Sequence, residues 1–585
     1  MQKIDFKYVI TSDQKLFVEK GLELLHTKTI DTYRLRLHNP KTIIEELVSV
    51  CQALKSGYLA NPSYAKSTAD EVSNILGNNE HGLCFNSVNM DYYVKLIKTG
   101  GKGTYNRMIQ ASKLVLMDNT DYLESLLVQI QEMLYQTGSQ PLNHNDKKKM
   151  MLLTHYSGIE LVNMGFTKRY LYDFFKAIFV RKDNEEFTFE KRFEAWRELG
   201  NAELESFDVI FEILGNSLQY RELLQVNPKY KQVNKKYRAM LPRETPDKVK
   251  SFLEDRKKNK LISLQVKALD HFRAVEVSRA KVGSDLDLYH LGFSENTFQI
   301  GQQVAVIGER DASKASILPS NYHIDGDIKS SRAVFNNFLQ KVGDLSNLEI
   351  SPESVDKVIS AIRYLRMGSE SPELEMKLLN YWIGLEYIFT FFADEEKTID
   401  KIKEFFPSCH GLIYIKRNLY DFHKSVERLG LADKIENYSD NLAYLGKYDT
   451  FRKIMEESHS QLMIYRAEYY QKWTENPGEI TKVLERHKKN LMWNLGRIYR
   501  IRNEIVHNAA AKGEISANVS HLRYYLTFIL NSILDFFHQT PIDVNNNGKI
   551  TIEDYFIAQE IMHGALKNKT IADFIEVHNP LEVLH

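Results

Sequence analysis

Cysteine is scarce in this chain: three residues in 585, Cys51, Cys84 and Cys409, far apart and odd in number. That excludes a disulfide framework and a zinc knuckle, and it fits a reducing compartment. Net charge is missing too, with 77 basic residues against 77 acidic. No whole-molecule basic field exists, so any nucleic-acid contact must come from a local patch. No run of about 18 apolar residues occurs. The nearest, "YYLTFILNSILDFF" at 524–537, is broken by Asn531 and Asp535. The start, "MQKIDFKYVITSDQK", lacks the apolar stretch of a secretory leader. The expectation is a cytoplasmic protein with no membrane partner. Internal repeats and low-complexity tracts are absent as well. "GKGTYNR" (101–107) has glycines without P-loop spacing, and no Ser-His-Asp set can be assembled from the sequence.

The length, at roughly 150 residues per domain, predicts several domains. Most of the chain reads as helix. "TIIEELVSVCQALKSG" (42–57) and "DYLESLLVQIQEMLYQTG" (121–138) carry apolar residues three and four apart, and each ends at Gly. "HYSGIELVNMGFTKRYLYDFFKAIFV" (155–180) predicts two short helices around "MGFT". Turn signals at 226–248 precede a charged, helix-favouring stretch over 249–281. At 285–325 the β-formers of "LDLYHLGF" and "NTFQIGQQVAVIGERD" predict a small β element near 285–315. The polar "RMGSESPELE" (366–375) predicts a boundary, followed by an apolar, buried helix over 376–392 whose one charge within 379–393 is Glu386. A charged, insert-like region (393–490) leads to a helix over 485–510 and another over 519–538. The fold class expected is mainly α. A mostly helical region spans 1–364, a helical bundle with that insert spans 365–540, and a tail spans 541–585. The basic runs Lys147–Lys149, Lys235–Lys236 and Arg256–Lys258 read as solvated faces.

The stretch "RIRNEIVHNA" (500–509) concentrates polar chemistry on a helix. Its apolar stripe is Leu491, Leu495, Ile498, Ile505 and Ala509, and the position that should continue it, 502, is arginine. An arginine on a core-facing stripe is costly unless paired. Asn503 and His507 are four apart, about 40° around an ideal helix, and share a face; Arg502 and His507 are about 140° apart. RNA cleavage through the 2′-hydroxyl needs a base, an acid and positive charge on the phosphorane. Histidine titrates near neutrality and arginine keeps its planar charge, so these residues suit the task without a metal. One histidine per chain is short of an acid–base pair, which favours a two-fold dimer. The bare spacing decides nothing, since about 2.4 Arg/His pairs of this kind are expected by composition. Three occur: Arg417/His423, Arg452/His459 and Arg502/His507.

Context separates them. "YRIRNEIVHNA" resembles the signature of the HEPN superfamily, and "LLNYWIGLEYIF" resembles the first helix of its Apea-like branch, with "RYLRMGSESPELEMKLLNYW" (363–382) similar to the usual lead-in. The resemblance covers roughly 365–540, and "HYSGIELVNMGFTKRYLYDFF" is faintly similar to segments upstream of such domains in bacterial proteins. It implies a helical bundle, a homodimer or larger even-numbered assembly, and metal-independent endoribonuclease activity leaving a 2′,3′-cyclic phosphate. It also implies anti-phage abortive-infection duty against RNA, often tRNA, released by a phage-derived trigger. Carried over, Arg502 and His507 are catalytic with Asn503; Glu386, holding Arg502 across the bundle, and Arg500 are supporting. The alternative is a non-catalytic HEPN scaffold that senses a protein or RNA partner. The 393–490 insert departs from a minimal bundle.

"DVNNNGKITIEDYF" (543–556) resembles an EF-hand calcium loop. The ligand positions fall on Asp543, Asn545, Asn547, the Lys549 carbonyl, Thr551 and Asp554, with Gly548 at the turn and Ile550 as the apolar plug. Aspartate stands at the last position where an EF-hand has glutamate. The expectation is a structural Ca²⁺, with no cofactor for catalysis; the competing reading is an Asn/Gly turn that needs no ion. His538 and His563 flank the loop without ligand partners.

Overall fold

The computed structural model describes the chain except residues 1–3, 27–37, 78–89, 100–101, 136–140, 182–186, 256–259, 291–298, 326–331, 391–396, 440, 509–514, 540–542, 544–547 and 578–585. It divides into two compact units, one drawn from residues 1–159 and 324–585, the other from 160–182 and 187–323. Among the described residues no helix is long and apolar enough to cross a membrane.

The N-terminal part of the first unit holds α1 (Ser12–Leu25), α2 (Pro40–Lys55), α3 (Ser63–Gly77), α4 (Met90–Lys98), α5 (Tyr105–Met117), α6 (Tyr122–Tyr135) and α7 (His144–Met164). Start signals set the first two: Thr11 and Gln14 form a capping box on α1, and Asn39 with Thr42 does so on α2, where Pro40 fills the first turn. The predicted stop at Gly57 is real, since its φ of +79° is a conformation glycine adopts without strain. Ile43, Ile44, Leu47 and Val50 of α2 pack with Val72 and Leu76 of α3 and Met108 of α5, a small core of their own.

The second unit contains α8 (Lys168–Lys176), α9 (Phe189–Arg197), α10 (Ser217–Val226), α11 (Lys235–Ala239), α12 (Asp247–Glu254) and α13 (His271–His290). Its sheet comprises β1 (Glu205–Leu214), β2 (Tyr230–Gln232), β3 (Leu261–Ala268), β4 (Gln299–Gly308) and β5 (Ser316–Pro319), antiparallel throughout in the order β2-β3-β1-β4-β5. Period-two alternation builds its two faces. Phe207, Val209, Phe211 and Ile213 of β1 pack on Ala274, Val282 and Leu286 of α13, while Ile210 packs with Val249 and Leu253 of α12. The sheet is therefore wider in sequence than the expected 285–315 element, and it starts at Glu205. The supposed helical stretch 249–281 holds a full strand, β3, and "LDLYH" belongs to α13 rather than to a strand. Eight alternating residues in β3 were masked by the helix-favouring charges on both sides.

The rest of the first unit comprises α14 (Arg332–Asp344), α15 (Pro352–Glu370), α16 (Leu374–Ile388), α17 (Thr398–Arg428), α18 (Tyr448–Glu457), α19 (Gln461–Glu475), α20 (Pro477–Asn508), α21 (Ser516–His538), α22 (Ile552–Ala565) and α23 (Ile571–Glu576). One core joins Trp382 and Leu385 of α16, Phe406 of α17, Leu491, Leu495 and Ile498 of α20, and Leu522 to Leu534 of α21. The polar segment 366–375, read as a domain boundary, spans the end of α15, a turn at 371–373 and the start of α16, two helices in close contact. A Cβ at Gly368 would lie 2.4 Å from the Tyr381 ring, and one at Gly384 would lie 3.0 Å from Leu526 and 3.3 Å from the Ala361 carbonyl. Nor does 393–490 loop out of the bundle: α17 runs 31 residues through it, and its second half shares a further core with Phe451, Tyr470 and Trp473 of α18 and α19. Most of its charges lie on outward faces, Lys401 being buried, which is why the segment reads as an insert. The fold is mainly α with one small β element, as the composition of patterns implied.

Candidate functional site

The long helix α20 places the signature at its last two turns. Leu491, Leu495, Ile498, Ile501 and Ile505 are buried, so the stripe continues through Ile501 rather than through position 502. Arg502 stands at the edge of that stripe, with its side chain 27% exposed, and its guanidinium lies 3.8 Å from the Glu386 carboxylate, itself 28% exposed. The Trp382 indole donates to the same carboxylate at 3.1 Å, one turn earlier on α16. Glu386 is thus fixed by a neighbouring donor and offers its charge to Arg502 across the bundle, the arrangement expected. Arg502 also donates to the Asn503 side-chain oxygen at 3.0 Å, and the Asn503 amide donates to the Tyr64 hydroxyl on α3 at 2.8 Å. His507 is exposed in the final turn and makes no hydrogen bond or ion pair among the described residues. The site is a short chain, Trp382–Glu386–Arg502–Asn503–Tyr64, with a free imidazole one turn beyond. Ala509 lies outside the described residues.

The arginines just before it are spoken for. Arg497, 8% exposed, donates to both Glu46 oxygens at 2.9 and 3.0 Å and to Glu71 at 2.5 Å. Arg500 pairs with Glu46 as well and with Glu504 at 3.2 Å, and His38 lies 2.9 Å from Glu46. Burial alone would raise the Glu46 carboxyl, yet Arg497, His38 and Arg500 together hold it well below the usual carboxylate range. Arg497 is pushed upward by the two carboxylates against its own burial. Burial raises the Tyr64 phenol above its ordinary value, which keeps it a neutral partner for Asn503. Arg500, expected beside the catalytic pair, therefore belongs to an internal ion cluster that ties α20 to α2 and α3. Nothing near position 497 in sequence announces this cluster, because Glu46 is 451 residues away.

The competing Arg/His pairs are structural or solvated. His423 is buried between the Tyr444 hydroxyl and Glu427, and Arg417 lies over the Tyr524 ring. Arg452 pairs with Asp449 on the surface. In the calcium-like loop, Asn545 and Asn547 lie outside the described residues. Gly548 adopts φ +76° and its N–H donates to Asp543 at 2.7 Å, as a tight turn requires. Asp554 is fully buried, and one of its oxygens accepts from the Thr551 N–H and hydroxyl, both at 2.7 Å, closing a capping box on α22. That oxygen and Thr551 are committed to the helix start. Ile550 pairs with Ile350 in a short parallel bridge, so the loop is anchored to the bundle by its backbone. Among the described residues, no group of three or more His, Cys, Asp or Glu comes together in a way that could hold a metal ion.

Compared with protein-family models, with curated proteins and with solved structures, the chain matches none.

Proposed function

We propose that the chain is a metal-independent endoribonuclease of HEPN type, acting on RNA such as tRNA in anti-phage abortive infection in the cytoplasm, as an even-numbered homo-oligomer that answers a phage-derived trigger. The observation that carries this reading is the part-exposed Arg502–Glu386 pair at the same helix end as an exposed His507. A buried arginine sealed by a carboxylate would be structural, but this pair is open to solvent on one side. In the reaction, His507 takes the proton from a ribose 2′-hydroxyl, whose oxygen attacks the adjacent phosphorus. Arg502 neutralises the charge that builds on the phosphorane oxygens. The P–O5′ bond breaks, and the leaving oxygen takes a proton from the histidine of the second subunit, giving a 2′,3′-cyclic phosphate and a 5′-hydroxyl. Ile383, three residues before Glu386, and Val506, four after Arg502, are 36% and 50% exposed and set an apolar rim on the same helix faces as the pair, suited to a second copy.

A second reading, a non-catalytic scaffold, draws support from the Asn503–Tyr64 bond and from the internal use of Arg497 and Arg500. The two separate in one experiment. Purified protein is incubated with total tRNA in EDTA beside R502A and H507A variants. Cleavage by the wild type alone, with cyclic-phosphate ends, supports the nuclease. Intact tRNA in every tube, also after extract from phage-infected cells is added, favours the scaffold. Equal cleavage by H507A places the chemistry elsewhere.

A further inference from the structure

Glu46 and Arg500 also line a cavity of about 690 Å³, within the size range of small-molecule sites. It opens between α3, α4 and α5 on one wall and α17 and α20 on the other. Its charge is lopsided. Lys66, Lys98, Lys403 and Lys489 line it, and none of these four ammonium groups makes a hydrogen bond or ion pair among the described residues. The carboxylates that also line it are already engaged: Glu46 and Glu71 by Arg497, and Asp70 by the Trp493 indole at 3.1 Å. Four lysines thus line one space in which two of the three carboxylates are already paired with Arg497.

Lys403 is the most telling of the four. It is partly buried, and burial pushes its ammonium below the ordinary lysine value. Its Nζ lies over Gly496 of α20, where an added Cβ would come within 3.4 Å of it. Asp400 offsets part of the charge of this part-buried ammonium, and an anion in the cavity offsets the rest. Between the lysines the walls are apolar: Met108 and Tyr105 on one side, Met492 and Trp493 on the other. A bare inorganic ion would leave those walls uncovered.

We propose that this cavity binds a small organic phosphate, a phosphorylated molecule with a flat apolar part, such as a nucleoside diphosphate. The phosphates meet the four lysines and the apolar part lies on Met492 and Trp493. This site is distinct from the one around Arg502 and His507, and it stands whether or not the chain cleaves RNA. Because Tyr64 and Arg500 line the cavity and also touch Asn503 and Glu504, an occupant bears on the setting of the neighbouring site.

Full-length protein titrated calorimetrically with ADP, pyrophosphate and adenosine tests this. ADP is expected to bind at least tenfold more tightly than either of the others. A K403M/K489M variant, and separately a K66M/K98M variant on the opposite wall, each lose at least tenfold in ADP affinity with unchanged thermal melting, and H507A binds ADP as the wild type does. The second pair keeps the test open if the first disturbs folding. No ADP binding at millimolar concentration, adenosine or pyrophosphate binding as tightly as ADP, undiminished affinity in both lysine variants, or loss of binding in H507A would each overturn the assignment.

Discussion

Arg497 on α20 and Glu386 on α16 do different work, and substitution separates them. Arg497 is enclosed and answers two carboxylates at once. Removing it leaves Glu46 and Glu71 facing each other across α2 and α3 with only Arg500 and His38 to offset them. Breaking such a buried pair by deleting one partner costs roughly 3–5 kcal/mol. R497A is expected to lower stability by about 3 kcal/mol in urea unfolding, and an unchanged midpoint would refute the buried-cluster account. Glu386, by contrast, is part-exposed and orients Arg502. E386Q is expected to leave the melting temperature within a degree or two, while tRNA cleavage falls roughly tenfold or more through kcat with KM kept. E386D should restore part of the loss. A rise in KM alone would make Glu386 a substrate-binding residue instead. Removing His507, as a general acid–base group, should cost about 10²–10⁴ in rate.

Between α17, α20 and α21 a buried imidazole pair links three helices. His410 lies 2.8 Å from His487 and 2.9 Å from the Tyr524 hydroxyl, and Tyr414 stacks on His487. Burial holds both histidines below their ordinary value, His487 at about 3, and His487 and Arg417 lower His410 further. Both are therefore neutral in the folded chain at pH 7. Below about pH 6.5 the unfolded chain takes up protons that the folded one refuses, so stability falls as pH falls. Each histidine should contribute a loss of about 1.4 kcal/mol between pH 7.5 and 5.5. Urea midpoints at those two pH values check this; an H487Q variant should flatten the slope, and an equal slope would place the pH sensitivity elsewhere. At this scale much of the fold was readable. The spacing of apolar residues located α2, α6, α16, α20 and α21, and the Arg502–Glu386 partnership followed from the resemblance. β3 was not readable, because eight alternating residues were outweighed by flanking charges, and β1 gave no Gly-bounded signal of the kind at β4. The ion cluster at Glu46 and the lysine-lined cavity were beyond reach. Each is assembled from residues more than 300 positions apart, and solvated lysines on four helices look alike until the helices are placed.

The whole molecule consists of one unit closed by the two ends of the chain and another that is continuous in sequence apart from residues 183–186. The second unit has apolar layers on both faces of its sheet and needs no residue from outside for either. A fragment spanning 160–323 is expected to fold alone, with a single cooperative thermal transition and a strand signal in circular dichroism. A fragment without a transition would show that its two layers are too thin to stand by themselves. The first unit offers no such excision: α2 and α3 rest on α20, and neither end can be removed without exposing the Glu46 cluster.

That closure has a consequence for synthesis. Glu46 leaves the ribosome 451 residues before Arg497. At roughly 5–20 residues per second the wait is about 20–90 s. Throughout that interval Glu46 has only His38 to answer it, and the first helices keep a bare flank. Arg502 and His507 follow Glu46 by more than 450 residues, and the helix bearing them docks only after that stretch is made. A product truncated before Arg502 therefore lacks the proposed cutting site.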